Sequence, residues 1–335
     1  MENVLITGAS GFIGSTMAEE GLKRNYRVFA GIRKNSSKKY LQFPGIEFIE
    51  FDFSSKEAIT ATLKEYQSKG IFFRYIIHNA GITKATRKEE FFEVNCRNTM
   101  HFMEALRETS MIPEKFIYIS SLAAYGPGNP DTMKPVMLSD EPNPIELYGK
   151  SKLEAEKYLT QQKDFPWIIF RPTGVYGPKE KDYFVFFQTI NRGLETYIGS
   201  ETQILTFIYV KDLVKLVYTA LVSPVEQKAY FVADGHEYDT RTFSAITKKV
   251  LNKKTFRITV PAFIVKQLAF GLEKVYGLWG SIPTLNTDKY NVLSSRNWRC
   301  EIDPLKQDFG FEADYDLERG VKETIEWYKK EKWLR

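Results

Sequence analysis

A regular alternation of strand and helix patterns is the feature that most constrains the fold of this chain. The amino-terminal "NVLITG" is a short apolar segment, and helical periodicity follows it from Phe12 to Arg24. Further β-rich segments, "RVFAGI", "IEFIEFD", "RYIIHN", "KFIYIS" and "WIIFRP", are interspersed with helical patterns over the first two-thirds. Nearly continuous apolar strands separated by helices are typical of a sheet covered on both faces. The alternation therefore predicts an α/β fold with a doubly wound parallel sheet.

A glycine-rich turn, "TGASGFIG", follows the first predicted strand and opens the first predicted helix. Its glycines, Gly8, Gly11 and Gly14, have the spacing GxxGxxG. Glycines at such a turn let the backbone approach a pyrophosphate, and the helix amino terminus attracts the negative charge. We therefore predict a Rossmann dinucleotide site whose ligands lie along Thr7, Gly8, Ser10, Gly11, Phe12, Ile13 and Gly14.

The residues after the second predicted strand indicate which dinucleotide binds. "AGIRKNSSKK" places Arg33 and Lys34 where a carboxylate would accept the ribose hydroxyls of NAD. An arginine there accommodates the 2′-phosphate of NADP, so we predict NADP as the preferred cofactor, with NAD as the alternative. Asp52, followed by Phe53, comes after the third strand and is expected to accept from the adenine amine. "HNAG" after the fourth strand adds Asn79, Ala80 and Gly81, small enough for close approach of the cofactor.

Later segments predict a second, smaller lobe. The alternation loosens after Gly177, although "FIYVKDLVKLVYTAL" and "KAYFVADG" still read as a helix and a strand of the sheet. We assign residues 1–178 and 205–237 to the dinucleotide-binding domain. Residues 179–204 and 238–335 form a mostly helical substrate-binding lobe.

Composition bounds the class of protein. The net charge of +5 and the pI near 8.8 are mild for 335 residues, so no nucleic-acid partner is predicted. The two cysteines form no CxxC pattern and are expected to be reduced, no signal peptide is recognised, and a cytoplasmic location is predicted. The three histidines lack metal-ligand spacing, so no metal site is expected.

"YGKSKLEAEKYL" contains a tyrosine, Tyr148, and a lysine four residues later, Lys152. Residues at this spacing share one face of a helix. An ammonium beside a phenol stabilises the phenolate and makes the tyrosine usable as an acid or base. On the spacing alone, an ordinary amphipathic surface helix is the more common explanation.

The ordered motifs resemble the extended short-chain dehydrogenase/reductase family, also called the NAD-dependent epimerase/dehydratase family. They are "TGASGFIG", "HNAG", "VNCRNT", "SSLAAYG", "YGKSK", "RPTGVYGP" and "FIYVKDL", and they span about 210 residues. The resemblance implies a catalytic group of Ser121, Tyr148 and Lys152, with Ser120 as the rival to Ser121. It also implies a structural or relay role for Asn95, and cofactor contacts from Tyr148, Lys152, Pro172, Thr173 and Val175.

Departures from the family's nucleotide-sugar branch indicate a different substrate. That branch usually has an asparagine where this chain has Gly174, and an arginine where it has Leu205. A nucleotide sugar is therefore disfavoured, although Arg171, Lys179, Lys181 or Arg192 could take over its diphosphate. "RPTGVYGP" looks like the branch that acts on ketones and secondary alcohols of apolar molecules, which includes sterol dehydrogenases and 3-oxo-sphingolipid reductases.

Three functions follow from this resemblance. The first is an NAD(P)-dependent oxidoreductase acting on a hydrophobic or lipid-like ketone or alcohol, a 3-oxo sphingoid, ceramide or sterol being candidates. The second is a nucleotide-sugar epimerase with retained NAD, and the third is a non-catalytic cofactor-binding subunit. The segment Pro261 to Gly280 is expected to cover an apolar pocket, rest on a membrane surface, or pack into the lobe's core. Many relatives form dimers through helices flanking the sheet, so the resemblance implies a homodimer.

Overall fold

The computed structural model describes residues 1–283 and 285–334. Its strands are β1 (Asn3–Thr7), β2 (Arg27–Ile32), β3 (Ile46–Glu50), β4 (Tyr75–His78), β5 (Lys115–Ile119), β6 (Trp167–Pro172), β7 (Gly174–Tyr176), β8 (Leu194–Ile198), β9 (Ile204–Leu205), β10 (Phe207–Tyr209), β11 (Lys228–Val232), β12 (Tyr238–Asp239) and β13 (Phe256–Val260).

Its helices are α1 (Phe12–Lys23), α2 (Lys56–Ser68), α3 (Glu89–Phe92), α4 (Asn98–Glu108), α5 (Leu147–Thr160), α6 (Asp182–Asn191), α7 (Val210–Leu221), α8 (Thr240–Leu251), α9 (Ala262–Gly277), α10 (Thr287–Ser294), α11 (Asp303–Phe309) and α12 (Leu317–Lys330). A π-helical turn, Glu93–Arg97, separates α3 from α4, and a 3₁₀ turn, Leu122–Ala124, follows β5. No helix in residues 1–283 and 285–334 is long and apolar enough to cross a membrane.

A seven-stranded sheet has the order β11-β6-β5-β4-β1-β2-β3. Neighbouring strands from β3 through β6 run parallel, so crossover connections join them. Most of these connections contain a helix, but residues 33–45 between β2 and β3 do not. The chain reverses its direction of travel across the sheet between β3 and β4, because β4 pairs with the free side of β1. The prediction of a doubly wound α/β sheet is confirmed. The loops after β1 and β4 therefore lie side by side at the carboxyl ends of these strands. Folds of this kind bind ligands at such a reversal.

Contacts divide the chain into two compact units. The first comprises Met1–Ala124, Tyr148–Arg171 and Val214–Tyr230, and the second comprises Tyr125–Leu147, Pro172–Leu213 and Phe231–Arg335. The predicted division by role, into 1–178 with 205–237 and 179–204 with 238–335, stays a prediction because these units are defined by packing alone.

Each unit has its own apolar core. In the first unit, side chains from the sheet pack against α2 and α4, with Phe29, Phe102 and Phe116 fully buried. The second unit is aromatic: Phe187 of α6 and Tyr328 of α12 pack with rings from β7, β10 and α8. The "YFVFF" segment of α6 therefore belongs largely to this core, although its Val185 is exposed.

Candidate active site

The glycine-rich turn is held by backbone contacts that exclude larger residues. Gly8 has φ +65°, and a Cβ atom there would lie 2.7 Å from the Asn79 carbonyl oxygen. A Cβ atom at Gly14 would lie 2.3 Å from the Gly8 carbonyl oxygen. Gly11, by contrast, is exposed at the amino-terminal cap of α1. The turn thus presents open backbone and the positive end of a helix, which is what a pyrophosphate requires.

A buried histidine fastens the loop that faces this turn. The Nδ1 atom of His78 lies 2.9 Å from the Thr7 hydroxyl, and its Nε2 atom lies 3.1 Å from the Thr99 hydroxyl. Burial, with a further contribution from the Lys152 charge, lowers the pKa of His78 to about 3. The ring is therefore neutral near pH 7. Thr7 also accepts from the backbone amide of Ala80 at 3.2 Å, so the end of β1 sets the position of the "HNAG" loop.

Asn95 lies in the π-helical turn between α3 and α4, which the sequence did not predict. Its amide donates to the Ile82 carbonyl at 3.0 Å and to the Ser151 hydroxyl at 2.9 Å, and it accepts from Ile82 at 2.8 Å. Ser151 in turn donates to the Tyr148 carbonyl at 2.7 Å. Asn95 thus joins the loop after β4 to the first turn of α5. Its assignment to the catalytic group stays a prediction.

Lys152 lies one helical turn beyond Tyr148 on α5 and is almost fully buried. Its ammonium donates to the Ile119 carbonyl at 2.7 Å and lies 4.5 Å from the centre of the Tyr118 ring. Burial lowers the pKa of Lys152 to about 8, against the opposing attraction of Glu156. A Cβ atom at Gly81 would lie 3.6 Å from this ammonium. The structure therefore brings the "HNAG" loop and the lysine together. Tyr148, four residues before the lysine, is half-buried.

The two serines after β5 have different surroundings. Ser120 is buried, and its hydroxyl donates to the Glu156 carboxylate. Ser121 is only partly buried, and its hydroxyl accepts from the backbone amide of Ala123 at 3.2 Å. An oxygen that accepts from the backbone still has its own proton to donate. Burial and bonding thus favour Ser121 as the substrate-facing residue.

A buried ion pair beneath the site was not predicted from the sequence. Arg171, at the end of β6, donates to Glu156 of α5 at 2.9 Å and 2.7 Å, and both side chains are almost fully buried. Arg171 is therefore committed to a carboxylate, which removes it from the candidate ligands for a diphosphate. The available signal in the sequence was Arg171 itself, a charged residue within the otherwise apolar strand "WIIFRP". Glu156 lies one turn beyond Lys152, so the ion pair is joined to the helix that carries both Tyr148 and Lys152.

The remaining predicted cofactor ligands lie at several strand ends. Arg33 and Lys34 are exposed just after β2. Asp52 is exposed after β3, and hydrogen bonds from the Ser54 hydroxyl and amide lower the pKa of its carboxyl, whereas Phe53 is buried. In the second unit, Pro172 ends β6, Thr173 bonds to the Val232 carbonyl, and Val175 lies on β7. Their roles in cofactor binding stay predictions.

Gly174 occupies a filled environment in the second unit. A Cβ atom at this position would lie 2.4 Å from the Tyr183 hydroxyl and 2.9 Å from the Phe207 ring. Leu205, the other departure from the nucleotide-sugar branch, packs against the same aromatic cluster. Aromatic side chains therefore take the space that a polar side chain at residue 174 would need.

Comparisons with known proteins agree with this geometry. The family model described as "NAD dependent epimerase/dehydratase family" matches residues 4–233. The UDP-glucose 4-epimerase of Vibrio cholerae is 25% identical over 338 residues, covering 97% of this chain and 95% of the relative. The ceramide reductase of Caulobacter vibrioides is 24% identical over 336 residues, covering 99% and 96%. The crystal structure of the Thermotoga maritima UDP-glucose 4-epimerase with UDP-glucose has a TM-score of 0.79 at 20% identity, covering 98% of this chain and 99% of that one.

Proposed function

Because the chain belongs to the NAD-dependent epimerase/dehydratase family, we propose that it is an oxidoreductase which interconverts a ketone and a secondary alcohol on a hydrophobic or lipid-like molecule. The observation that carries this choice is the environment of Gly174, where Tyr183 and Phe207 occupy the space of the asparagine side chain that is usual in the nucleotide-sugar branch. Leu205 adds apolar surface nearby. The likeness to a ceramide reductase over nearly the whole chain supports the same substrate class.

The chain's own residues account for the proton movements of this reaction. A nicotinamide dinucleotide, when bound, supplies or accepts the hydride. Tyr148 gives a proton to the reacting oxygen during reduction and removes it during oxidation. Ser121 donates a hydrogen bond to that oxygen. Lys152, whose pKa near 8 keeps much of it charged at neutral pH, stabilises the Tyr148 phenolate from one helical turn away.

The same residues fit the cofactor. The tight turn at Gly8 and Gly14 and the exposed amino terminus of α1 suit a pyrophosphate. We propose NADP as the preferred form, because Arg33 and Lys34 are exposed at the end of β2. Family relatives are described as NAD dependent, so NAD is the alternative.

Replacing Arg33 with Ser is expected to weaken NADPH binding about 10- to 100-fold, as for the loss of one charge-assisted hydrogen bond of about 1.5–3 kcal/mol. Binding of NADH should not change, because NADH lacks the 2′-phosphate. Dissociation constants from fluorescence titration with both cofactors measure this. Lys23→Ser, an exposed lysine at the end of α1, is the matched control. Equal affinity of the unaltered protein for both cofactors would refute the NADP assignment.

The proposed reaction is tested with purified protein, NADPH or NADH, and a panel of ketones: a 3-oxo sphingoid base, a 3-oxo ceramide, a sterol ketone and a short polar ketone. We expect cofactor oxidation with the long-chain or polycyclic ketones only, and none with Tyr148→Phe. Consumption of the short polar ketone alone would contradict the hydrophobic substrate class.

A nucleotide-sugar epimerase is the second candidate, because the Vibrio cholerae epimerase matches this chain over nearly its full length. An epimerase recycles its nicotinamide without net oxidation. If the protein is such an epimerase, NAD should remain bound after purification. UDP-glucose and UDP-galactose should then be interconverted with no change in absorbance at the nicotinamide wavelength. That result, with no ketone reduced, would replace the first proposal by the second.

A further inference from the structure

Helix α9 turns an apolar surface outward from the second unit. Its inward side is narrow: Val265 and Ala269, four residues apart, are the buried positions among its described residues. The outward apolar side chains, together called the α9 face, belong to the helix and the turn after it, and the most exposed is Leu278 at 82%. They are Phe263, Ile264, Leu268, Phe270, Val275, Tyr276, Leu278 and Trp279. The expectation that this segment packs into the lobe's core is therefore wrong for most of its length.

The α9 face consists of two rows of apolar side chains along the helix. Phe263 and Phe270 are seven residues apart and Ile264 and Leu268 are four apart, so the members of each pair share a side of the helix, and Lys274 lies between the two rows. Single exposed apolar residues are common, but eight exposed apolar side chains between Phe263 and Trp279 indicate a binding partner. A helix that is apolar on both its inner and outer sides is usually buried in a protein core or in a membrane.

Lysines accompany the α9 face. From Lys248 to Gly280 the chain has seven basic residues and one acidic residue. Three of the seven form ion pairs with Glu195 or Glu318, outside this segment, so the charge near the α9 face comes from the others. Lys266 and Lys274 are exposed on α9 itself, and the Lys274 ammonium lies 4.5 Å from the centre of the Phe270 ring. The acidic residue, Glu273, is partly buried and accepts from the Thr287 amide at 3.2 Å.

We propose that the α9 face docks this protein on the surface of an anionic lipid membrane. Apolar and aromatic side chains flanked by lysines match the boundary between acyl chains and negatively charged headgroups. At 16 residues the helix is about 24 Å long and has lysines within it, which suits a helix lying in the interface plane. A second copy of the chain would instead bring two surfaces of like charge together. The proposal does not depend on which reaction the protein catalyses.

Vesicle flotation of the purified full chain tests this proposal. We expect binding to phosphatidylcholine vesicles that contain phosphatidylglycerol, weaker binding at high salt, and little binding to phosphatidylcholine alone. Trp279 is 74% exposed, so its fluorescence should shift to shorter wavelength on binding, and Trp279→Phe should remove that shift. Absence of binding to the anionic vesicles would overturn the proposal.

Paired variants locate the binding surface. Phe263→Ser with Leu278→Ser is expected to lower the partition coefficient at least about tenfold, since each removes an apolar side chain from the lipid. Phe72→Ser with Val222→Ser, also exposed but in the first unit, should have no effect. Lys266→Glu with Lys274→Glu should abolish the preference for phosphatidylglycerol, whereas Lys322→Glu with Lys330→Glu should leave it unchanged.

Two further outcomes would contradict the membrane assignment. Vesicle binding that the α9 variants do not weaken would place the lipid contact elsewhere on the chain. Light scattering tests the second outcome. If the unaltered protein is a dimer and Phe263→Ser with Leu278→Ser converts it to a monomer, a second copy occupies the α9 face.

Discussion

Replacing Tyr148 with Phe is expected to lower kcat about 10²- to 10⁴-fold, the usual contribution of a positioned general acid or base. The change removes one oxygen and keeps the ring, so α5 and the buried Lys152 ammonium should stay in place. Because the proposed cofactor contacts come largely from the glycine-rich turn, the dissociation constant for the dinucleotide should change little. Steady-state turnover of the active ketone and fluorescence titration of the cofactor measure the two quantities separately.

Tyr158→Phe is the matched control for this variant. Tyr158 lies on the same helix, ten residues after Tyr148, and its hydroxyl donates to the Glu104 carboxylate at 3.3 Å. We expect its kcat to equal that of the unaltered protein. Full activity of Tyr148→Phe would refute the assignment of the tyrosine, whereas equal loss in both variants would indicate damage to α5.

Replacing Glu156 with Leu is expected to lower the free energy of unfolding by about 3–5 kcal/mol, the usual cost of removing one partner of a buried ion pair. The Arg171 guanidinium would be left charged and buried, and the Ser120 hydroxyl would lose its acceptor. Glu156 also raises the pKa of Lys152, so its loss should lower that pKa below about 8. Urea unfolding measures the change in stability. The pH dependence of kcat measures the change in pKa, because the loss of activity at high pH, where Lys152 loses its proton, should begin at lower pH.

The double variant Glu156→Leu with Arg171→Met separates a broken ion pair from general damage to the core. Replacing both partners with apolar residues leaves no unpaired charge, so much of the lost stability should return. Glu65→Leu breaks the exposed pair between Glu65 and Lys69 and should leave the unfolding midpoint nearly unchanged. If Glu156→Leu is no less stable than Glu65→Leu, the buried pair does not stabilise the first unit.

The sequence by itself determined the features that depend on local spacing. Apolar runs separated by helical periodicity predict the parallel sheet because each strand must bury both faces. Gly8 and Gly14 mark the turn because backbone close approach excludes side chains there. Tyr148 and Lys152 share a helical face because the helix repeats every 3.6 residues, and that relation needs no partner from elsewhere in the chain.

Only the tertiary structure decided which side chains are buried and what they contact. Ser120 and Ser121 are adjacent and chemically identical, and their difference arises from Glu156, 36 and 35 residues away in the chain. Arg171 is paired for the same reason, and Gly174 is confined because the fold brings Tyr183 and Phe207 beside it. The exposure of the α9 face likewise depends on what the rest of the lobe covers. These properties arise from contacts between residues far apart in sequence, which periodicity and local propensity do not encode.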